Sequence, residues 1–168
     1  MSCSDNSSKQ NYSLKQAKDI AISFAKQNNL GDMECVWSDI IGGDAYINLA
    51  PVNNGVIIYP DLVKVKVDLS LGNVIGYEAT TYFTNHIERK LEVPKVTMQS
   101  ARAKVPTAYE ILQTRLCLAP LDYNREILCY ENICTRNDET YYFYVNAQTN
   151  QIENILKIVE TDDGNLLL

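Results

Sequence analysis

Hydrolytic chemistry needs two carboxylates held at different pKa values, a metal in a cluster of ligands, or a nucleophile beside its base. The chain holds one histidine, His86, and five cysteines, Cys3, Cys35, Cys117, Cys129 and Cys134. Their spacing contains no C-x-x-C pair, and His86 is remote from all of them along the chain. Neither a zinc site nor a dense disulfide framework is therefore expected, and buried free thiols are the default. His86 could act as a base, but it sits in a charged stretch where a solvated or hydrogen-bonded structural role is the simpler reading. Asp61 and Glu78 are the best carboxylates, although Tyr59-Pro60-Asp61 also reads as a turn entering a strand, with Asp61 capping its own backbone. Phosphate loops, nucleophile elbows and His-Glu-x-x-His patterns are absent. The expectation is a non-enzyme with no catalytic residue, no cofactor and no metal ligand.

The elements that would position these residues announce themselves in order. Ser13-Leu14-Lys15-Gln16 has the form of a capping box, and Ala17, Ile20, Ala21, Phe24 and Ala25 follow at the spacing of one helical face. A helix from about Leu14 to Asn28 is expected, closed near Gly31. Short β-type runs come next, at Met33–Ile41, Ala45–Ala50, Val56–Tyr59, Leu62–Leu69 and Val74–Thr80. Gly42-Gly43, Asn53-Asn54-Gly55 and Leu71-Gly72-Asn73 separate them as turns. In Val63-Lys64-Val65-Lys66-Val67-Asp68-Leu69 strict alternation puts valines on a core face and charges on a wet one, the mark of an antiparallel sheet.

Thr84–Lys95 loses this periodicity, gathers charge and contains a proline, so it reads as a linker. Thr97-Met98-Gln99-Ser100-Ala101-Arg102 then repeats Ser13–Lys18 nearly class for class, with Pro106 limiting a second helix to about Met98–Val105, resuming near Tyr109. Strands are expected at Thr114–Ala119, Ile127–Thr135, Thr140–Asn146 and Gln151–Val159. Tyr141–Ile155 superposes on Val63–Tyr77, with Val65 on Phe143, Val67 on Val145, Asp68 on Asn146, Val74 on Ile152 and Tyr77 on Ile155. Similarity at both ends of each unit, in the same order, signals internal duplication. The fold class expected is α+β: two tandem units, each a helix packed on a small antiparallel sheet, with Val63, Val65, Val67, Phe143 and Val145 buried. The division is a disordered 1–12, a first unit at 13–85, a linker at 86–96 and a second unit at 97–168.

A helix followed by antiparallel strands and a hairpin of the form Val-x-Val-Asp…Gly-Asn-Val-Ile resembles the PepSY domain. The string Tyr59-Pro60-Asp61-Leu62-Val63-Lys64-Val65-Lys66-Val67, followed by Gly76-Tyr77-Glu78-Ala79 and Asn85-His86, is similar to the C-terminal PepSY region of the YpeB family of spore germination proteins. Leu128–Glu131, Tyr142–Ala147 and Glu153–Lys157 continue the likeness, which covers roughly 13–168. The resemblance implies an extracytoplasmic place at the spore inner membrane or cortex, in a family whose full-length members are membrane-anchored. It implies as partner a cortex-lytic enzyme, a SleB-type spore lysin that cleaves peptidoglycan, with peptidoglycan itself nearby. The module would bind, stabilise, localise or inhibit that enzyme. Alternatives are a PepSY-type peptidase-inhibitory or chaperoning module, and a binder of cell-wall fragments or small ligands.

Composition narrows the partners. The formal charge is -6, from 21 acidic and 15 basic residues, and the basic ones form no stripe, so nucleic acid and anionic membrane are poor partners. The longest apolar run is Leu166-Leu167-Leu168, and Met1–Asn11 has neither the basic start nor the apolar core of a secretory signal, so a soluble segment without membrane contact is expected. A lipid-modified Cys3 is disfavoured because no apolar stretch precedes it. Where the first hairpin has Lys64 and Lys66 the second has Tyr142 and Tyr144, which would face outward as partner anchors unless both faces of that sheet are buried. Tyr142, Tyr144, His86, Asp61 and Glu78 are the candidate partner-binding residues. Cys117 and Cys129 lie symmetrically about the Pro120–Arg125 turn and should face each other across adjacent strands, as thiols rather than a strained cross-strand disulfide.

Overall fold

The computed structural model describes residues 10–122, 125–161 and 164–167. Cys3, most of the 1–12 stretch and Leu168 lie outside the described residues. In chain order the elements are α1 (Leu14–Gln27), β1 (Met33–Ile41), β2 (Asp44–Asn53), β3 (Val56–Ile58), a 3-10 turn at Tyr59–Asp61, β4 (Val63–Asp68), β5 (Asn73–Glu78), α2 (Thr80–Asn85), α3 (Met98–Arg102), β6 (Glu110–Asp122), β7 (Arg125–Arg136), β8 (Glu139–Asn146), β9 (Ile152–Thr161) and β10 (Gly164–Leu167). The fold is mixed α+β, mostly sheet with few helices. It forms two compact units, one from the residues up to Pro51 with Leu62–Thr84, the other from Val52–Asp61 with the chain from Asn85 onward.

In the first unit the capping box forms as the sequence demands. Ser13 Oγ accepts from the Gln16 amide at 3.3 Å, and Gln16 Oε1 accepts from the Ser13 amide at 2.9 Å. Ala17, Ala21 and Ala25, one per turn, are fully buried, and their lack of bulk lets α1 lie close on the sheet. Beneath them β2 pairs antiparallel with β1 and β4, and β4 with β5. Val63, Val65 and Val67 point into this core with Ile47 and Leu49, while Lys64 and Lys66 point away. Gly42 and Gly43, at φ 61° and 91°, supply the left-handed backbone that a two-residue hairpin turn between β1 and β2 requires.

The second unit is built on the antiparallel series β6, β7, β8, β9 and β10. Thr97 caps α3, which ends at Arg102 and does not reach Val105; the chain from there to Tyr109 is irregular, and Val105 and Tyr109 pack on Phe143 and Cys134. The all-antiparallel expectation fails at β3. This strand runs parallel to β6, with Ile57 opposite Cys117 and Ile58 opposite Leu118, and it carries residues 52–61 into the second unit. The reason is its unbroken Val-Ile-Ile run, buried on both faces, which suits a parallel position better than a half-wet edge.

Several bonds recur between the units. Val65 opposes Tyr77 and Val67 opposes Val74, with an irregularity between Lys66 and Val67. Phe143 opposes Ile155 and Val145 opposes Ile152, with an irregularity between Tyr144 and Val145. Asp68 Oδ1 accepts from the amides of Ser70 and Leu71, as Asn146 Oδ1 accepts from those of Gln148 and Thr149. Each turn closes on a left-handed residue, Gly72 or Asn150, whose amide donates to the carbonyl of Asp68 or Asn146. Residues 11–12, which the sequence places in a disordered terminus, donate both amides to the Leu69 carbonyl, as Lys95 and Val96 donate to that of Ala147.

Candidate functional site

Two of the sequence candidates meet in the second unit. The 3-10 turn after β3 places Asp61 with 1% of its surface exposed, and Asp61 Oδ2 lies 2.7 Å from His86 Nδ1 and accepts from Arg89 Nη1 at 2.9 Å. Asn85 Nδ2 donates to the Pro60 carbonyl at 3.0 Å, holding the start of the irregular segment against the same turn. Arg89 also donates from Nε and Nη2 to the two carboxylate oxygens of Glu126, 2.8 Å each, a bidentate fork, and from Nη2 to the Asn85 carbonyl. Hydrogen bonding to Glu126, then to Asp61, raises the guanidinium's pKa still further against the opposing effect of burial. Arg89 is thus a rivet between the 3-10 turn, β7 and the segment that carries it.

That segment is tied down again at its far end. Gln148 Nε2 donates to the Val93 carbonyl at 2.9 Å, and the Tyr130 hydroxyl donates to the Val96 carbonyl at 2.8 Å. Between the ties the segment borders an open depression of about 560 Å³ lined by, among others, Ile87, Arg89, Leu91, Leu118, Glu126 and Leu128. Ile87 and Val93 leave 61% and 83% of their surfaces exposed. The linker of the sequence reading is therefore an anchored strap presenting apolar side chains.

Of the two tyrosine candidates, Tyr144 does not face outward. Tyr144 is buried, its hydroxyl donating to Glu131 Oε2 at 2.9 Å, and Tyr142 is half-buried. Glu131 has no exposed surface; its Oε1 accepts from both Nε and Nη2 of Arg115, and Arg115 Nη2 donates to the Tyr59 hydroxyl at 3.0 Å. Burial first, then the Glu131 charge, drives the Tyr59 and Tyr144 phenols upward in pKa, so both remain neutral. This sheet thus carries buried side chains on both faces, Phe143 and Val145 on one and Tyr144 and Glu131 on the other. Glu78 accepts from the Thr80 amide at 2.7 Å at the start of α2, and hydrogen bonds from the Thr80 side chain first, then from its amide, lower the Glu78 pKa. Cys117 and Cys129 do stand directly opposite each other, both as buried free thiols, and burial pushes Cys129 up to about 12.

Sequence reasoning missed Arg89, Glu126, Arg115 and Glu131. One signal was available for Glu131: it interrupts the otherwise uncharged run Leu128–Cys134, and a charge there must be paired if the strand is central. Among the described residues no group of three or more histidine, cysteine, aspartate or glutamate side chains is placed to hold a metal ion. No helix among them is long and apolar enough to cross a membrane.

Residues 4–92 match the family model described as YpeB sporulation, PepSY1 and PepSY2 domains. The chain belongs to the YpeB family. It is 35% identical over 153 residues to the sporulation protein YpeB of Halalkalibacterium halodurans and 32% identical over 154 residues to that of Bacillus subtilis. These alignments cover 91% and 89% of this chain but 34% of each relative, so the chain spans about a third of the length of the curated relatives it matches. The solved Bacillus megaterium YpeB C-terminal domain superposes with a TM-score of 0.79 at 32% identity, covering 89% of this chain and 66% of that one. In this YpeB chain the buried carboxylates of Asp61 and Glu131 are each engaged by an arginine and by a ring donor or acceptor, an arrangement suited to fixing backbone.

Proposed function

We propose that this YpeB chain is a non-catalytic, extracytoplasmic spore module that binds a SleB-type cortex-lytic peptidoglycan hydrolase and stabilises, localises or inhibits it. The observation that carries the reading is the strap around Ile87 and Val93: an irregular segment fixed at both ends that keeps large apolar side chains in water beside a depression. Family membership supports a sporulation or germination role, and the internal ion pairs of Asp61 and Glu131 favour a structural over a hydrolytic use of these carboxylates. The recurring bulge, Asx turn and helix cap support a further reading, that the two units are tandem PepSY-like repeats.

The test is titration calorimetry of the purified chain with its cognate lysin. Ile87→Ser combined with Val93→Ser should weaken binding by about 2 kcal/mol or more while thermal unfolding stays nearly unchanged. Unaltered affinity would move the surface elsewhere, and no binding by the unmodified chain would overturn the partner. Incubation with peptidoglycan should release no muropeptides; their release would reopen catalysis.

A further inference from the structure

We propose that Asn54-Gly55 is a self-modifying site, at which Asn54 converts through a cyclic imide to aspartate and isoaspartate, opening the turn that holds β3. This is the sole Asn-Gly dipeptide in the chain. It occupies the two central positions of the turn between Asn53 and Val56, which pair with each other, and both residues have left-handed backbones, φ 49° and 79°. That conformation explains why these residue types are used, since asparagine and glycine adopt it at little cost. The same pair also supplies the groups that the chemistry needs, a side-chain amide followed directly by a main-chain nitrogen with no side chain beside it.

Both residues are exposed, and the position a Cβ would take on Gly55 has no heavy atom within 4 Å, so this side of the turn is open. In a two-residue turn the closing hydrogen bond runs from the residue after the turn to the residue before it, which leaves this nitrogen outside the ladder. The Asn54 side chain makes no hydrogen bond to the described residues, so only the turn's own backbone has to swing out of the left-handed conformation for Cγ to meet this nitrogen. By contrast, the amides of Asn28, Asn85 and Asn146 donate to the Phe24 carbonyl, the Pro60 carbonyl and Glu153. Asparagine is among the thermolabile residues, and here its local restraints are few.

The step balances without an external reagent other than water. The Gly55 amide nitrogen, losing its proton, forms a bond to Asn54 Cγ; the Cγ–Nδ2 bond breaks and ammonia leaves. Water then opens the five-membered imide at either carbonyl. Opening at one gives aspartate; at the other the main chain is rerouted through Cβ, which adds one atom to the backbone. A two-residue turn has no slack for that atom. β3 is held by only two residue pairs to the end of β2 and two to β6, and it leads into the Tyr59–Asp61 turn gripped by Arg115 and Arg89. Either product also places a new negative charge in the hollow that Asn54 shares with Arg89 and Lys90.

The experiment is prolonged incubation of the whole purified chain at mildly alkaline pH, followed by proteolytic mass spectrometry with electron-transfer fragmentation and hydrogen exchange of the converted fraction. Conversion should be faster at Asn54 than at any other asparagine, isoaspartate should be present, and amide protection at Val56–Ile58 should be lost in that fraction. Asn54→Gln should abolish conversion at this position while keeping protection. Asn54→Asp, which adds the charge without lengthening the backbone, should keep protection too. Conversion at Asn54 no faster than at the other asparagines, or isoaspartate formation with β3 still protected, would overturn the proposal. Because the readout needs no partner, failure of lysin binding would leave it standing.

Discussion

At the scale of single residues, the least replaceable polar group is Glu131. A carboxylate without solvent exposure is tolerable only while its counterion and donors stay in place. Glu131→Ala leaves the Arg115 guanidinium without its counterion and should cost about 3–5 kcal/mol in urea unfolding. Tyr144→Phe removes one donor and should cost about 1–3 kcal/mol. Arg115→Met combined with Glu131→Leu, which removes both charges, should recover much of the loss; failure to do so would mean that the pair contributes more than charge compensation. The same burial explains why Tyr144 cannot serve as the surface anchor that its position, equivalent to Lys66 in the other hairpin, suggests.

At the scale of elements, the two hairpins act as controls for each other. Asp68 and Asn146 make the same pair of amide contacts, but Asp68 carries the charge and also accepts from the Ser70 hydroxyl, while Asn146 donates to Glu153. Hydrogen bonds from the Ser70 side chain first, then from the Leu71 and Ser70 amides, lower the pKa of Asp68 in the folded state. A depressed pKa means stability present above the unfolded value of about 3.9 and lost as pH falls through the folded one. Asp68→Asn should therefore keep the turn at neutral pH and flatten the loss of stability below about pH 4, measured by urea midpoints across pH. Gly72 differs from its counterpart Asn150 in another way. It has φ 69°, and a Cβ there would overlap the Tyr12 ring. Gly72→Ala should cost about 1–2 kcal/mol from backbone handedness alone, with ring displacement adding to it. A smaller loss would show that Tyr12 swings away freely.

At the scale of the whole molecule, the strap from His86 to Val96 depends on contacts made far away in sequence. Arg89 joins it to Glu126, 37 residues on, and to Asp61, 28 residues back. Arg89→Ala should release this end and make the bonds after Glu88 and Glu92 cleavable by a glutamate-specific protease, with fragments identified by mass. Cleavage no faster than in the unmodified chain would show that the tie from Gln148 to Val93 suffices. If the strap is the lysin-docking surface, the same variant should also bind more weakly, since an ordered surface loses less entropy on binding than a loose one.

The sequence by itself determined what depends on neighbours a few residues apart. The Ser13 cap, the bounds of β1, the alternation of β4, the glycine and asparagine turns and the likeness of the two hairpins were all legible, because capping, periodicity and turn chemistry are local. The string from Tyr59 to Val67 carried the family. Tertiary structure alone decided that β3 pairs in parallel with β6, that Tyr144 faces inward, and that Asp61, His86, Arg89 and Glu126 converge. These outcomes follow from which apolar faces must be covered and which buried charges must be neutralised once the sheets are assembled. Partners separated by 16 to 37 residues leave no spacing rule in the chain. An arginine in a charged linker reads the same whether it is solvated or riveted.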